Sequence, residues 1–352
     1  TTYVGDDSSE TVNIGFKPDL IVTKCSDSSS YGWRWVDSVR GIDKYLMSHS
    51  DAGEGTEANG ITSLQQSGYI VGSAQDWNKN GQDFVGYSWK SGGSSNTFNV
   101  DDVGYASAAA AGLTGTTGTG AVLLGASVGT KQGFSIIKGT MSSSGGGSWP
   151  HGLGQKPDFM ILKNPDDTSN WMITHKDLGA NSGGSGGMGD NYLMFTNDDN
   201  SYNSGVWGGE PTTSLFSLGT SAQTNSDDFI MYLWHNVPGM QKFGMYEGND
   251  SADGTYVELG FRPAIIIVKN IDASQNWVIV DDQRDHYNVA KNTLRPNSNL
   301  QSYSNNDFAD FLSSGFKFRG NEAQWNNTET YIYAAWAHQP MNNLYGAQSN
   351  AR

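Results

Sequence analysis

The sequence predicts an all-β protein of three tandem homologous β-sandwich modules, and three observations predict it. One pattern of apolar strands occurs three times along the chain. Glycine supplies 45 of 352 residues and Asp, Glu, Lys and Arg together only 16 %, against about 7 % and about 25 % in ordinary globular chains. Large rings are abundant, with 14 Phe, 16 Tyr and 11 Trp, and no helical apolar stripe runs beyond two turns.

Each module opens on a lead-in strand: Thr2-Tyr3-Val4-Gly5-Asp6, Ser135-Ile136-Ile137-Lys138-Gly139-Thr140 and Gly244-Met245-Tyr246-Glu247-Gly248-Asn249. A turn ending in a basic residue and proline follows, at Gly15-Phe16-Lys17-Pro18, Gly154-Gln155-Lys156-Pro157 and Gly260-Phe261-Arg262-Pro263. Proline fixes φ there, and the apolar runs Leu20-Ile21-Val22, Phe159-Met160-Ile161-Leu162 and Ile265-Ile266-Ile267-Val268 read as buried strands. A tryptophan strand comes next, aligned on Trp35, Trp171 and Trp277. Short helical turns are expected at 37–41 and 289–291. Each module closes on a strand with alternating rings, ending in Trp89, Trp234 and Trp336. The intervals from Pro18 to Trp89, Pro157 to Trp234 and Pro263 to Trp336 are 71, 77 and 73 residues. Short apolar segments between Gly, Asn, Asp and Ser turns fit a sandwich of jelly-roll or lectin-like kind.

This divides the chain into module 1 (1–91), an insertion or linker (92–131), module 2 (132–240), module 3 (241–340) and a tail (341–352). The insertion is rich in Gly, Ser, Thr and Ala, a flexible composition. Its Phe98, Val100, Val103, Tyr105 and 122–124 also suit a buried hairpin, and both readings stay open.

The formal charge of −15 repels polyphosphates and anionic bilayers, so nucleic acid is not an expected partner. Membrane insertion is not expected either, since no run approaches the ~18 apolar residues a span requires. The first residues lack the basic and apolar parts of a signal peptide, so a soluble protein is expected. Cys25 is the single cysteine and is expected as an inert buried thiol, without a disulfide framework.

The string Gly15-Phe16-Lys17-Pro18-Asp19, with Trp35-Val36-Asp37-Ser38-Val39-Arg40-Gly41, Lys44-Tyr45-Leu46, Gly60-Ile61-Thr62-Ser63-Leu64 and Tyr87-Ser88-Trp89-Lys90-Ser91-Gly92-Gly93, resembles a repeat module of virion structural and tail-fibre-like proteins of tailed bacteriophages, marine ones especially. Gln132-Gly133-Phe134-Ser135-Ile136-Ile137-Lys138 and Lys242-Phe243-Gly244-Met245-Tyr246-Glu247-Gly248-Asn249 look like lead-ins of its later copies. The resemblance covers essentially the whole chain. It implies a location in the virion, other virion proteins as partners, and a homo-oligomer with a trimer as the usual state. Tyr87-Ser88 departs from the Trp-Cys often found before the closing Trp-Lys pair.

Catalytic signals are weak. Gly125-Ala126-Ser127-Val128-Gly129 matches G-x-S-x-G, but in a tract of small residues without the strand and helix a nucleophile elbow needs. The histidines form no zinc pair. Asp281, Asp282 and Asp285 beside His286 are the densest candidates for a metal, with Ca²⁺ conceivable by charge but lacking a diagnostic spacing. No glutamate recurs in all three modules. No cofactor is expected.

Rings are the better candidates for binding. Trp77 and Trp325 share a turn after Ala-Gln and read either as plugs over the sandwich end or as platforms for a sugar or partner. Trp207, Tyr202, Tyr287 and Tyr303 lie in loops that differ most between modules, at 48–60, 183–191, 197–211 and 281–303, with Asn200, Asn203, Asp285 and Asn299 nearby. The expected function is therefore non-catalytic: a structural and adhesive virion component contacting a host-surface glycan or protein. The competing classes are a phage glycan depolymerase and a secreted lectin-like adhesin.

Overall fold

The structure, a computed structural model, describes residues 1–179, 187–199, 202–203, 205–222, 226–338, 341–342 and 348–349, with only the backbone for 202–203 and for the last two pairs. The fold is all-β, and one helix of four residues, Gln75–Asn78, is present among the described residues. Residues 38–40 form a turn, and Ala290 makes a bridge to Ala309 where a helical turn was expected. In the tail, Met341–Asn342 pairs with Gln348–Ser349.

One strand order recurs in each sequence repeat: lead-in, closing, proline, tryptophan. In the first it is Thr2–Val4, Asp83–Trp89, Leu20–Cys25 and Arg34–Asp37, continued by Gly41–Leu46 and Gly55–Thr56. In the second it is Phe134–Thr140, Asp228–Trp234, Phe159–Lys163 and Met172–His175. In the third it is Gln241–Glu247, Thr330–Ala337, Pro263–Asn270 and Val278–Asp281. All these pairings are antiparallel. Gly15, Gly154 and Gly260, ahead of the proline strands, all have φ between +70° and +85°, and the space a side chain would fill there is open. Glycine is thus required there by the backbone and not by crowding.

Antiparallel strands usually alternate apolar and polar, whereas the proline strands open on unbroken apolar runs, at 20–22, 159–162 and 265–268. The reason is burial on both faces. Leu20, Val22, Phe159, Ile161 and Ile267 point into one cluster shared by all three repeats. The intervening Ile21, Met160, Leu162, Ile266 and Val268 point the other way, into separate outer cores. Each outer core is covered by a smaller sheet: Glu10–Asn13 with Gly68–Val71 and Ile61–Gln65, Gly147–Pro150 with Leu215–Leu218, and Tyr256–Glu258 with Gly315–Phe318 and Ala309–Leu312. In the shared cluster Trp89, Trp234 and Trp336 meet edge-to-face, with centroids 6.2, 5.3 and 6.0 Å apart.

The 92–131 tract is ordered. Val122–Gly129 pairs with the lead-in Phe134–Thr140 and carries Phe98–Val100 and Val103–Tyr105 outward, making the second repeat's sheet nine-stranded. Its small residues serve packing, since a side chain at Gly92 would strike the Val128 backbone.

Register corrects the tryptophan alignment. Leu20, Phe159 and Ile265 begin equivalent ladders, and counting along them sets Trp35 opposite Val22, where Ile173 and Ile279 stand opposite Ile161 and Ile267. The equivalent of Trp171 and Trp277 is therefore Trp33. Hydrogen bonding agrees: the indole N–H of Trp33 donates to the Arg295 carbonyl at 2.9 Å, that of Trp171 to Met47 at 2.9 Å and that of Trp277 to Met194 at 2.8 Å. Each of these bonds joins two repeats, the first to the third, the second to the first, the third to the second. The repeats close into a ring.

Candidate functional site

Polar chemistry concentrates at the ring's junctions. Asp37 follows the first tryptophan strand, and the turn after it lets Oδ1 accept the Val39 and Arg40 backbone N–H groups at 3.0 and 2.8 Å. Its Oδ2 receives the Arg40 Nε at 2.6 Å and the Tyr232 hydroxyl of the second repeat at 2.8 Å. Asp281 does the same with Gln283 and Arg284 N–H at 3.0 and 2.9 Å, Arg284 Nε at 2.7 Å and the Tyr87 hydroxyl of the first repeat at 2.8 Å. Burial alone would raise the Asp281 carboxyl, but the Arg284 guanidinium and these donors hold it below its usual value. Burial raises both tyrosines far above theirs.

The third junction is built differently. His175 stands at the Asp position, Leu178 at the Arg position and Ala334 at the Tyr position, all buried. The His175 Nε2 is 3.2 Å from the Tyr333 carbonyl, and burial lowers its pKa to about 4. Three polar partners have been exchanged together for an imidazole and two apolar groups.

Three buried lysines recur at the ends of the proline strands. Lys163 donates across a junction to the Asp51 carbonyl at 3.1 Å and Lys269 to Asp198 at 3.2 Å. Lys24 instead binds carbonyls of its own repeat, at Ser28 and Tyr31. Burial lowers them to about 8, about 7 and about 8 respectively. These lysines and the Asp–Arg–Tyr sets escaped the sequence reading, although Asp37-Ser38-Val39-Arg40 and Asp281-Asp282-Gln283-Arg284 share a legible spacing.

The expected metal residues are committed elsewhere. Asp281 is bound to Arg284 and Tyr87, Asp282 to Arg262 at 2.8 Å and to His338, and Asp285 accepts the Lys291 and Asn292 N–H groups. Among the described residues no three His, Cys, Asp or Glu side chains are grouped to hold a cation. Ser127 lies inside a strand, with its hydroxyl bound to Gly92 N–H and Gly93 C=O at 2.9 Å each, so the G-x-S-x-G string forms no elbow. Cys25 is buried and free, and burial pushes its thiol up to about 12.

The rings divide sharply. Trp77 and Trp325 are each 2 % exposed, which decides for plugs over platforms, and Trp207 is 4 % exposed, which corrects the expectation that it stands open for stacking. Trp77 packs edge-on to Tyr45 at 5.3 Å and Trp325 against Phe308 at 5.2 Å, as plugs. The Trp207 indole donates to Asn191 at 3.1 Å. The Tyr202 side chain, Asn200, the Asn203 side chain and 183–186 lie outside the described residues. Tyr287 and Tyr303 are 87 % and 42 % exposed. Tyr303, Leu300, Arg295, Gln301, Ser302 and Thr293 line a recess of about 200 Å³. The inner side of this loop straps the third repeat to the first, through Trp33 on the Arg295 carbonyl and the Ser302 N–H on Ser26 at 2.7 Å.

No curated protein and no solved structure matches this chain. One family does, over residues 1–103 and 103–340. With nearly the whole sequence matched, the chain belongs to the family described as Domain of unknown function (DUF7483).

Proposed function

We propose that the chain is a non-catalytic structural and adhesive component of a tailed-phage virion, a tail fibre or another tail or head appendage. In this reading it is built of three homologous β-sandwich modules that meet other virion proteins, assemble as a homo-oligomer, a trimer by the resemblance, and contact a host-surface glycan or protein. The observation that carries it is the contrast between junctions whose polar groups satisfy one another and a 281–303 loop that leaves Tyr287, Leu300 and Tyr303 exposed beside a recess. Rings with polar neighbours suit sugar or protein faces, and weak contacts gain from repetition in an oligomer.

The test is labelling of intact particles with an antibody to this chain, followed by adsorption of particles carrying Tyr287→Ala and Tyr303→Ala together. Labelled particles whose variant adsorbs poorly support the reading. Absence from particles favours a secreted lectin-like adhesin, and cleavage of host polysaccharide by the purified chain favours a depolymerase.

A further inference from the structure

Two of the junctions between repeats use the same contacts and can be compared residue by residue. Where the second repeat meets the first, the Glu54 N–H donates to the Pro165 carbonyl at 2.7 Å, and where the first meets the third, the Ser302 N–H donates to Ser26 at 2.7 Å. Arg40 Nη1 donates to the Glu54 carboxylate and Arg284 Nη1 to the Ser302 hydroxyl, each at 3.1 Å. Ser302 therefore stands in the place of Glu54. Counting back from Trp89 and Trp234, Thr2 opposite Val85 stands in the place of Lys138 opposite Ile230.

Lys138 pairs with Asp228 at 3.2 Å and Glu54 with Arg40 at 3.1 Å. At the other junction two short hydroxyl residues replace that cation and that acid, while the partners of both are kept. Asp83 holds the place of Asp228, and among the described residues no ion pair reaches its carboxylate. Arg284 has one carboxylate, Asp281 at 2.7 Å, where Arg40 has two. Asp285 beside it is taken up by the Lys291 and Asn292 N–H groups. In the third repeat Met245 and Thr330 hold the two strand places, and neither is charged. The short side chains leave a recess of about 590 Å³ between the first repeat and the third, lined by Thr2, Asp27, Asp83, Arg284, Asn292 and Ser302 among others. It lies at the end of the first lead-in ladder where Val4 faces Asp83, the other end being Thr1 on Gly86. Carboxylates stand on one wall, and a guanidinium with a hydroxyl stands on the other.

A ligand that supplies both replaced partners carries an ammonium and a carboxylate in one small molecule. We propose that this recess binds a zwitterion of amino-acid to dipeptide size, its ammonium set against Asp83 and Asp27 and its carboxylate against Arg284 and Ser302. The volume falls within the roughly 300–1,000 Å³ of small-molecule sites. Asp27 reinforces the acidic wall, its Oδ1 accepting the Asp83 N–H at 3.1 Å and so tying the two residues together. The Arg284 side chain is only 6 % exposed, and a contact between charges strengthens where water is scarce. Charge-assisted bonds at both ends select the zwitterion over either half of it. This inference is independent of the virion reading.

The probe is 6-aminohexanoate, titrated calorimetrically into the full chain at neutral pH beside hexanoate, which lacks the ammonium, and hexylamine, which lacks the carboxylate. One-to-one binding of 6-aminohexanoate is expected, with each of the other two weaker by about tenfold or more. Asp83→Asn, at an exposed residue, should weaken 6-aminohexanoate about tenfold and leave hexanoate unchanged. Thr2→Lys with Ser302→Glu installs the ion pairs of the junction between the second repeat and the first. That double variant should no longer bind the probe, with a melting midpoint no lower than the parent's. No binding of 6-aminohexanoate, equal binding of the three compounds, an indifferent Asp83→Asn, or undiminished binding by the folded double variant would each overturn the proposal.

Discussion

The Tyr87 hydroxyl of the first repeat donates to the Asp281 carboxylate of the third at 2.8 Å, across 194 residues of chain. Tyr232 and Asp37 repeat that bond between the second repeat and the first at the same distance. At the remaining junction both partners are absent, and so is the arginine that neutralises the acid. A buried carboxylate and guanidinium are costly to dehydrate and cost more still when one is left alone, so the set is retained or replaced together.

Removing one member should accordingly be severe. Arg40→Leu alone is expected to cost about 3–5 kcal/mol, because Asp37 stays buried without its guanidinium, and Asp37→His somewhat less, because Arg40 keeps Glu54 at 3.1 Å. The double variant should cost less than the sum by about 1–3 kcal/mol. Denaturant melts of the four proteins close the cycle, and strict additivity would show the two groups to be uncoupled.

Trp33→Ala, Trp171→Ala and Trp277→Ala should each lose about 3–5 kcal/mol, the usual result of emptying a large aromatic site. The Phe variants keep most of the ring and lose the indole bond to the neighbouring repeat, so about 1–3 kcal/mol is expected. Melts indistinguishable from the parent for Trp33→Ala would argue against its equivalence with the other two.

Trp207→Ala should behave as a core variant, with a loss of about 3–5 kcal/mol, whereas Tyr287→Ala should change stability by no more than about 0.5 kcal/mol. Thermal melts separate the two at once. A silent Trp207→Ala would restore that ring as a surface group.

The strands were legible because a proline turn, an unbroken apolar run and a terminal tryptophan mark them three times. Their common core was not, since an apolar residue such as Ile21 or Val22 reads the same whether it faces the outer or the shared cluster. Trp33 and Trp35 are two positions apart and point to the same side of one strand, which left the choice between them to register. The Gly-, Ser- and Thr-rich tract reads as flexible by composition, although its small residues allow close backbone approach in a sheet. Of the candidate site, exposure was legible for Tyr287 and Tyr303 and the plug reading was open for Trp77 and Trp325, but nothing in the loop around Trp207 marked its ring as folded inward.

His175 sets a pH dependence whose sign follows from its burial. Its pKa is about 4 when folded and about 6.5 when unfolded, so the unfolded chain takes up the proton first. The contribution of this group is full above about pH 6.5 and declines as pH falls toward 4, by about 3 kcal/mol, and the buried His49 and His151, also lowered to about 4, act in the same direction. His175→Gln should remove its share of that decline in melts run between pH 7 and 4, and an unchanged slope would place the titration elsewhere.

An open array of repeats can gain or lose a unit at its ends, because each unit touches only its neighbours. Here the strap of residues 295–302 on Trp33 makes the third repeat a neighbour of the first, so these three repeats are joined at every junction. Inserting a unit between the third repeat and the first would break the seam between Tyr87 and Asp281. Growth is confined to sheet edges and loops, as in the strands of the 92–131 tract that extend the second sheet outward without touching the seam.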